Sequence, residues 1–263
     1  MNNMALNIAS INSGSNGNCY YIGNDHDAVL VDAGISCKET EKRLSRMGLS
    51  FDKIRAVFIS HEHTDHTRRV DVIARRFQIP VYFSPIAYNK SKIHLDDHLL
   101  AYINDGSEIK IGSLLIKAFS KLHDSSDPLS FTVSSENVNV GVYTDIGMVT
   151  EPLVQHFSQC NAAFLESNYD EEMLENGRYP VFLKNRIRGD HGHLSNMQAL
   201  DLFRNHKSPS LSHVLLSHLS QDNNNPELAR DLFLKHANGT EIAIASRYQE
   251  SEVYCIKPAT SQA

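Results

Sequence analysis

The sequence lacks the features of a secreted or membrane protein. No run of apolar residues approaches the length that spans a bilayer. Residues 1–7 have neither a basic flank nor a long apolar core, so we expect no signal peptide. The cysteines lack C-x-x-C spacing, which favours free buried thiols over disulfides; they are Cys19, Cys37, Cys160 and Cys255. We therefore predict a cytoplasmic protein with no membrane partner.

Positive charge is also scarce. The 25 Lys and Arg residues are outnumbered by 31 Asp and Glu residues, and the formal net charge is −6. This balance argues against a broad basic surface for nucleic acid, although it allows a local one. Two short basic clusters fit phosphate contact and a solvated surface equally well; they are Arg68, Arg69, Arg75 and Arg76, and then Lys184, Arg186 and Arg188.

The chain contains no tandem repeat, low-complexity tract or evident boundary. With 263 residues, of which 41% are hydrophobic, it can bury a full core. We predict one domain over residues 1–263, with a small polar tail at 257–263 that frays.

The most informative segment is the H-x-H-x-D-H motif, which lies between a predicted strand and a predicted helix. His61 and His63 are two residues apart in extended chain, so they project to the same side and can chelate one ion. Asp65 and His66 lie where the chain turns into the helix and can point at a second ion. Such a donor set suits zinc, manganese or iron. The alternative, a polar loop that is histidine-rich by chance, fits this specific spacing poorly.

That motif resembles the signature of the metallo-β-lactamase superfamily. The superfamily's later ligands are a histidine, a bridging aspartate and a final histidine, and they match His123, Asp145 and His218. The resemblance implies an α/β fold, an αββα sandwich of two mixed sheets flanked by helices. It also implies two divalent ions: the first held by His61, His63 and His123, the second by Asp65, His66 and His218, with Asp145 bridging them.

Further segments narrow the resemblance to the YycJ (WalJ) branch of the superfamily. They are residues 13–18, 165–170, 179–187, 192–196 and 217–224. That branch is similar to ribonuclease Z and is associated with exonuclease action on DNA. The resemblance covers residues 9–236, which is most of the chain.

The resemblance implies metal-dependent hydrolysis of a phosphodiester. A water between the ions would lose a proton near neutral pH and attack phosphorus in line, and Asp65 would orient that water. His193 matches a histidine of ribonuclease Z-like enzymes that pairs with a glutamate, here Glu166. It would protonate the departing alkoxide or clamp a phosphate oxygen. The alternative is that this segment only caps the following helix, through Ser195 or Asn196.

The glycine-rich loop at residues 13–18 precedes a strand that ends at Ile22. Its glycines could admit a phosphate to backbone N–H groups, with Ser15 and Asn18 donating from their side chains, but a tight hairpin explains the same residues. The candidate substrate-binding residues are Ser13, Ser15, Asn16, Asn18, Lys184, Arg186 and Asn223.

We therefore expect a nucleic-acid substrate, and DNA in preference to RNA. The chain has no long basic arm of the sort that grips transfer RNA in ribonuclease Z, which favours DNA. One alternative is a ribonuclease or an endonuclease of the tRNA-processing type. Others are a thioester, lactone or β-lactam hydrolase of the same superfamily, and a non-enzymatic partner protein, which the complete ligand set disfavours.

Apolar periodicity predicts alternating strands and helices, which indicates α/β layers. We expect residues 176–192 to form an active-site loop. The predicted helices are Ser36–Met47, Thr67–Phe77, Ser195–Asn205 and Pro226–His236. The predicted strands are Ala28–Val31, Ala56–Ile59, Val81–Phe83, Leu114–Phe119, Phe131–Val133, Val138–Tyr143, Ala162–Glu166, Val214–Ser217, Glu241–Ala245 and Val253–Ile256.

Overall fold

Two seven-stranded sheets form the centre of the computed structural model, which describes residues 5–258. In the first sheet β3 to β6 run parallel, and β1, β2 and the last strand of the chain join them antiparallel. Its first six strands are β1 (Leu6–Asn12), β2 (Cys19–Gly23), β3 (Ala28–Val31), β4 (Ile54–Phe58), β5 (Val81–Phe83) and β6 (Leu100–Tyr102).

The second sheet is also mixed. Its strands are β7 (Glu108–Ile111), β8 (Leu114–Ser120), β9 (Leu129–Ser135), β10 (Val138–Tyr143), β11 (Ala162–Glu166), β12 (His213–Ser217) and β13 (Glu241–Ile244). The strands β10 to β13 run parallel, while β7 to β10 are joined antiparallel. The chain then returns to the first sheet, where β14 (Tyr254–Ile256) pairs with β1.

Helices cover the outer face of each sheet. They are α1 (Cys37–Arg46), α2 (Thr64–Thr67), α3 (Val70–Phe77), α4 (Pro85–Lys90), α5 (Glu151–Phe157), α6 (Glu171–Asn176), α7 (Val181–Arg188), α8 (Asn196–His206) and α9 (Pro226–Leu234). Leu44 of α1 and Ile73 of α3 are buried in one cluster with the first sheet. Phe203 of α8 and Phe233 of α9 are buried in another with the second sheet. The predicted αββα sandwich is confirmed.

The central core lies between the two sheets. Ile8 and Tyr20 of the first sheet share a buried cluster with Ile116, Phe131 and Phe164 of the second. The rings of Tyr20 and Phe164 lie 4.8 Å apart across the interface. Burial of this apolar surface holds the two sheets in a fixed relation, and therefore also the loops at their shared edge.

The ends of the predicted helices follow their capping residues. Ser36 accepts the backbone N–H of Glu39 at 3.2 Å and caps α1, and Gly48 beyond its end has a φ of 71°. Asn225 caps α9, and Pro226 lies in the first turn of this helix. Each predicted strand is present within two residues at either end.

The predicted helix Thr67–Phe77 is wrong at its start, because the chain forms α2 and α3 with a break at Arg68 and Arg69. A continuous helix would use the carbonyls of Asp65 and His66 for residues 69 and 70. Those carbonyls instead accept the backbone N–H groups of Asn18 and Ala33, both at 2.7 Å. Tertiary hydrogen bonds therefore end the first helix after one turn.

Three other expectations need correction or fall outside the structure. The segment 176–192 is not a plain loop, because it contains α7. All four cysteines are free as predicted, but Cys255 is exposed and not buried. Of the tail predicted to fray, residues 259–263 lie outside the described residues. Between residues 5 and 258, no helix has the length and apolar character needed to cross a bilayer.

Candidate metal centre

Polar side chains gather where several strands of both sheets end. Asp32 follows β3, Asp145 follows β10 and His218 follows β12, and all three have left-handed backbones with φ between 55° and 63°. This conformation is uncommon outside glycine and is strained for a residue such as histidine. Ligand clefts at the carboxyl ends of parallel strands are typical of layered α/β folds.

The H-x-H-x-D-H loop is held against the end of β3 by its backbone. A Cβ atom on Gly34 would lie 1.7 Å from the carbonyl oxygen of Asp65, so only glycine allows this approach. Ser60 donates its N–H and its hydroxyl to the carboxylate of Asp32, at 2.8 and 2.9 Å. The loop that carries four of the predicted ligands is therefore fixed by contacts that do not use the ligand atoms.

Three imidazoles form a first donor cluster. His61, His63 and His123 each offer a nitrogen within 4.8 Å of the others. Nε2 of His61 lies 3.1 Å from Nδ1 of His63. The ring centroids of His61 and His123 are 5.0 Å apart. These are the residues predicted to share the first ion.

A second donor cluster contains Asp65, His66 and His218. Nε2 of His66 is 3.5 Å from Oδ2 of Asp65, and Nε2 of His218 is 3.8 Å from the same oxygen. Asp145 lies between the clusters, with one carboxylate oxygen 3.2 Å from Nε2 of His66 and the other 3.7 Å from Nε2 of His123. The structure therefore brings together all seven predicted ligands.

Of the five histidines in the two donor clusters, four have Nδ1 in contact with a group outside the donor set. Nδ1 of His61 lies 2.9 Å from the Ser60 hydroxyl, and that of His66 lies 2.7 Å from Asp32. Nδ1 of His123 lies 3.1 Å from the carbonyl oxygen of Gly192, and that of His218 lies 3.0 Å from Glu166. Such contacts fix the ring and leave Nε2 for a metal ion, which is the usual arrangement around histidine ligands.

Two buried atoms support the fit of metal ions to these residues. Among residues 5–258, Oδ2 of Asp145 and Nε2 of His218 are buried and make no hydrogen bond. Buried polar atoms are rarely left without a partner, because the loss of hydration costs free energy. Nitrogen and carboxylate donors of this kind suit divalent zinc, manganese or iron. The residues present therefore fit divalent metal ions.

The two clusters differ in charge. Burial lowers the pKa of His123 to about 4, despite the opposing Asp145. Burial and the charge of His66 lower the pKa of His61 well below its usual value. Both imidazoles are therefore neutral near pH 7, as ligands must be.

The carboxylates of the second cluster favour positive charge on their neighbours. Burial opposes a charge on His66, but Asp32 and Asp145 outweigh it and raise the pKa of His66 well above its usual value. Burial also opposes a charge on His218, yet Asp145 and Asp65 raise its pKa to about 10. Burial would raise the pKa of Asp145, but His218 and His66 hold it well below its usual range. The carboxylates thus attract positive charge to this position.

Glu166 connects the donor cluster to His193. Its Oε1 lies 2.8 Å from Nδ1 of His193 and 3.0 Å from Nδ1 of His218. Its Oε2 accepts the backbone N–H groups of Ile146 and Leu194, at 2.7 and 3.2 Å. Burial opposes ionisation, but the charge and hydrogen bond of His193 lower the pKa of Glu166 to about 2.

The cap of α8 and the contact of His193 are separate features. Ser195 accepts the N–H of Gln198 at 3.1 Å, and the Gln198 side chain accepts the N–H of Ser195 in return. His193 takes no part in that cap, and 20% of its side chain is exposed. With Nδ1 on Glu166, its Nε2 is the nitrogen left for another partner.

The glycine-rich loop supports the donor clusters from behind. The hydroxyl of Ser13 is buried, accepts the N–H of His218 at 2.8 Å and contacts Tyr20. Asn18 is also buried, and its amide nitrogen lies 3.0 Å from Nε2 of His66. Asn16 donates to the carbonyl of Arg247 at 2.8 Å.

The other substrate-binding candidates lie in different environments. Ser15 and Arg186 line a cavity of about 210 Å³ beside His193 and His218. Lys184 donates to the carbonyl of Glu175. Asn223 is buried, and neither atom of its side-chain amide has a hydrogen-bond partner within the described part of the chain.

Sequence reasoning missed two residues that hold ligands. Asp32 accepts from His66 and Ser60, and its signal was its place directly after a predicted strand. Asn168 donates its side-chain amide to the carbonyl of His218 at 2.7 Å. Asn224 fixes Asn168 in turn by donating to its carbonyl at 3.0 Å. Asn168 lies in the segment 165–170 that carries part of the resemblance, but its contact with His218 depends on the tertiary fold.

Known proteins agree with this fold. A family model described as the beta-lactamase superfamily domain matches residues 27–219. The chain is 34% identical to "Exodeoxyribonuclease YycJ" of Bacillus anthracis, over 86% of this chain and 87% of that protein. It is 27% identical to "Exodeoxyribonuclease WalJ" of Streptococcus pneumoniae, over 99% of this chain and 98% of that protein.

A solved structure supports the same fold at low sequence identity. The metallo-beta-lactamase fold protein YhfI from Bacillus subtilis superposes with a TM-score of 0.71 and 14% identity, over 95% of this chain and 99% of that chain. The two mixed sheets, the donor clusters at their shared edge and these relatives lead to one assignment. The chain belongs to the metallo-β-lactamase superfamily and, within it, to the family of the YycJ and WalJ exodeoxyribonucleases.

Proposed function

We propose that this protein is a DNA exonuclease that hydrolyses phosphodiester bonds with two bound divalent ions. The observation that carries the proposal is the complete set of seven donor residues beside the His193–Glu166 pair, in a chain whose curated relatives are named exodeoxyribonucleases. The thiolate that leaves a thioester needs no such acid, whereas the alkoxide that leaves phosphorus does.

Each donor cluster would hold one ion. The first ion would take His61, His63 and His123, the second would take Asp65, His66 and His218, and Asp145 would contribute one oxygen to each. The buried oxygen of Asp145 that makes no hydrogen bond, and the equally unpartnered Nε2 of His218, support this division. We propose zinc, manganese or iron as the metal, because the donors mix imidazole with carboxylate.

When bound, two such ions lower the pKa of a water molecule and neutralise charge that develops on the phosphate. The chain's own residues supply the remaining functions. Asp65 is half-buried at the edge of the second cluster, so its carboxylate can accept a hydrogen bond from the attacking water and orient it. Burial opposes ionisation of Asp65, but the charge of His66 outweighs it and lowers the pKa of Asp65.

His193 would deliver a proton to the leaving oxygen. Glu166 accepts from Nδ1 of His193, which fixes the orientation of the ring. The other nitrogen, Nε2, then carries the proton that passes to the departing alkoxide. The water supplies a hydroxyl to phosphorus, the P–O ester bond breaks, and one strand end leaves with a free hydroxyl.

Digestion of defined substrates tests this proposal. We expect the protein with Mn²⁺ or Zn²⁺ to release nucleotides from linear 5′-labelled or 3′-labelled DNA, and to leave covalently closed circular DNA intact. Chelator should abolish release, and Asp145→Ala prepared in parallel controls for contaminating nuclease. Cleavage of RNA alone, or of circular DNA, would replace the proposal with the ribonuclease or endonuclease alternative. Turnover of thioesters without any nuclease activity would exclude a nuclease.

A further inference from the structure

A wide groove begins at the metal centre, and His193 is not part of its lining. It has a volume of about 920 Å³, and the candidate ligands His63 and Asp65 form part of its wall. The other walls come from the break between α2 and α3 and from the segment that follows α4. We call this cavity the basic groove, because its lining contains six arginines and lysines but three carboxylates.

The carboxylates of the basic groove are already engaged. Asp71 is paired with Arg75 at 2.6 Å. Glu62 accepts the backbone N–H of Ser126 at 2.9 Å, and Asp65 belongs to the second donor cluster. Within the described residues, none of these three carboxylates is ion-paired with any other cation of the groove.

Four exposed cations of the basic groove have no carboxylate partner among residues 5–258. They are Arg68, Arg69, Lys90 and Lys92. The neighbouring arginines differ, because Arg75 is paired with Asp71, and Arg76 is paired with Glu41 at 2.8 Å. The basic cluster seen in the sequence thus divides into a paired half and a free half, and only the free half has its whole charge available to a ligand.

The helix break determines where the first two of these cations lie. Arg69 has φ −145° and ψ 28°, outside the helical region, and it separates α2 from α3. Arg68 and Arg69, which form this break, are both exposed and both line the groove beside the ligand loop. The break thus places two adjacent cations at the same cavity, whereas consecutive residues of a continuous helix point about 100° apart.

The cavity on the other side of the metal centre differs in size and lining. It encloses about 210 Å³ beside His193 and His218, and Tyr179, Leu183 and Ile187 supply an apolar wall. Arg186 lines both cavities and is ion-paired with Asp124. The centre thus lies between a small, partly apolar pocket and a larger groove with free positive charge.

We propose that the basic groove binds the phosphate backbone of the DNA strand that continues beyond the scissile bond, while the small pocket receives the terminal nucleotide. This assignment rests on the proposed function and adds the path of the strand. Charge complementarity supports it, because a polyanion gains most where several cations lack partners.

The double variant Lys90→Ala/Lys92→Ala tests the far end of the basic groove. Binding of a fluorescent 20-nucleotide single strand is measured by anisotropy in chelator, over a range of salt concentrations. Each phosphate contact contributes about 0.7 to the slope of log affinity against log salt on single strands. We expect the slope to fall by about 1.4, because two phosphate contacts are lost. If the affinity at 1 M salt is unchanged, this smaller slope lowers the affinity at 0.1 M salt about 25-fold.

A matched control uses two exposed arginines that line neither cavity. Arg204→Ala/Arg230→Ala on α8 and α9 removes the same formal charge. We expect this control to keep the wild-type salt slope. In Mn²⁺, the ratio of kcat/KM for the 20-nucleotide strand to that for a dinucleotide should fall about 25-fold in the groove variant alone.

The outcomes separate the two proposals. If the wild type degrades DNA and the groove variant keeps the full salt slope and the full length dependence, the strand path is wrong and the nuclease function stands. An equal loss in the control variant also overturns the path, since net charge would then explain the binding. If the wild type binds the strand through these lysines but cleaves no DNA under any metal condition, the groove assignment stands and the proposed reaction fails.

Discussion

Replacing Glu166 by glutamine tests whether one buried carboxylate serves two histidines. In the structure, Oε1 contacts Nδ1 of both His193 and His218, and Oε2 accepts two backbone N–H groups. Glutamine has nearly the same shape, and its oxygen can keep the two backbone contacts. Its amide group then presents N–H donors to imidazole nitrogens that also carry protons, and the negative charge is lost.

Two losses of different size follow from this geometry. Removal of a partner that orients a metal ligand lowers metal affinity about 10–100-fold, which corresponds to about 1.4–2.8 kcal/mol at the His218 cluster. Loss of a general acid slows the reaction about 10²–10⁴-fold, and Glu166→Gln would act on that step through His193. At saturating metal, we therefore expect turnover of DNA to fall about a hundredfold, and at limiting metal to fall further.

A double-mutant comparison measures the two effects separately. Metal affinity is titrated for wild type, Glu166→Gln, His193→Ala and the double variant, and turnover is measured at saturating Mn²⁺. We expect Glu166→Gln to weaken metal binding where His193→Ala does not, and to add little to the loss of turnover once His193 is absent. Wild-type metal affinity and turnover in Glu166→Gln would refute this account. Glu166 would then serve only to accept the backbone N–H groups of Ile146 and Leu194.

Further predictions concern the ligands and the loop behind them. Asp145→Ala should lose at least one metal equivalent and nearly all nuclease activity, and two full equivalents by elemental analysis with normal turnover would exclude a bridging role. His193→Ala should keep both ions but cleave DNA about a hundredfold more slowly, with a smaller loss on a nitrophenyl phosphodiester, whose leaving group needs no proton; an equal loss on both would favour phosphate clamping. The metal-free protein should lose stability as the pH rises from 6.5 to about 10, because the raised pKa of His218 contributes stability below this window and loses it within the window. Thermal melting in chelator should show that loss, and a metal-loaded sample should not, since metal needs the neutral imidazole. Gly34→Ala should lower the free energy of unfolding by about 1–3 kcal/mol and reduce metal content, because the new Cβ would meet the Asp65 carbonyl at 1.7 Å; unchanged chemical denaturation would contradict this.

Local patterns in the sequence predicted the sandwich and the donor set. Val138–Tyr143 forms a strand because its alternate residues Val138, Val140 and Val142 all lie in the core between the two sheets. The H-x-H-x-D-H spacing, together with the family resemblance that it supports, predicted the seven donor residues that the structure brings together. The single domain over residues 1–263 and the roles of the site residues stay predictions.

Elements that depend on tertiary contacts were not predictable in this way. The β7 strand, Glu108–Ile111, is short and lies at a sheet edge, with every residue at least partly exposed. The α7 helix buries none of its residues in the core, and its apolar pair Leu183 and Ile187 is too short a pattern to predict a helix. The break at Arg68 and Arg69 arises from hydrogen bonds to Asn18 and Ala33, which are distant in sequence.

The anchoring of the imidazoles through Nδ1 has a consequence for how the protein acquires its metal. Ser60, Asp32, Gly192 and Glu166 contact Nδ1 of four of these rings, so the protein's own contacts set the orientation of each ring. Ions could then be exchanged without refolding of the chain. Since affinities of such mixed donors follow the general order of divalent metals, the fixed geometry of the cleft and the supply of metal around the protein together decide which ion is held.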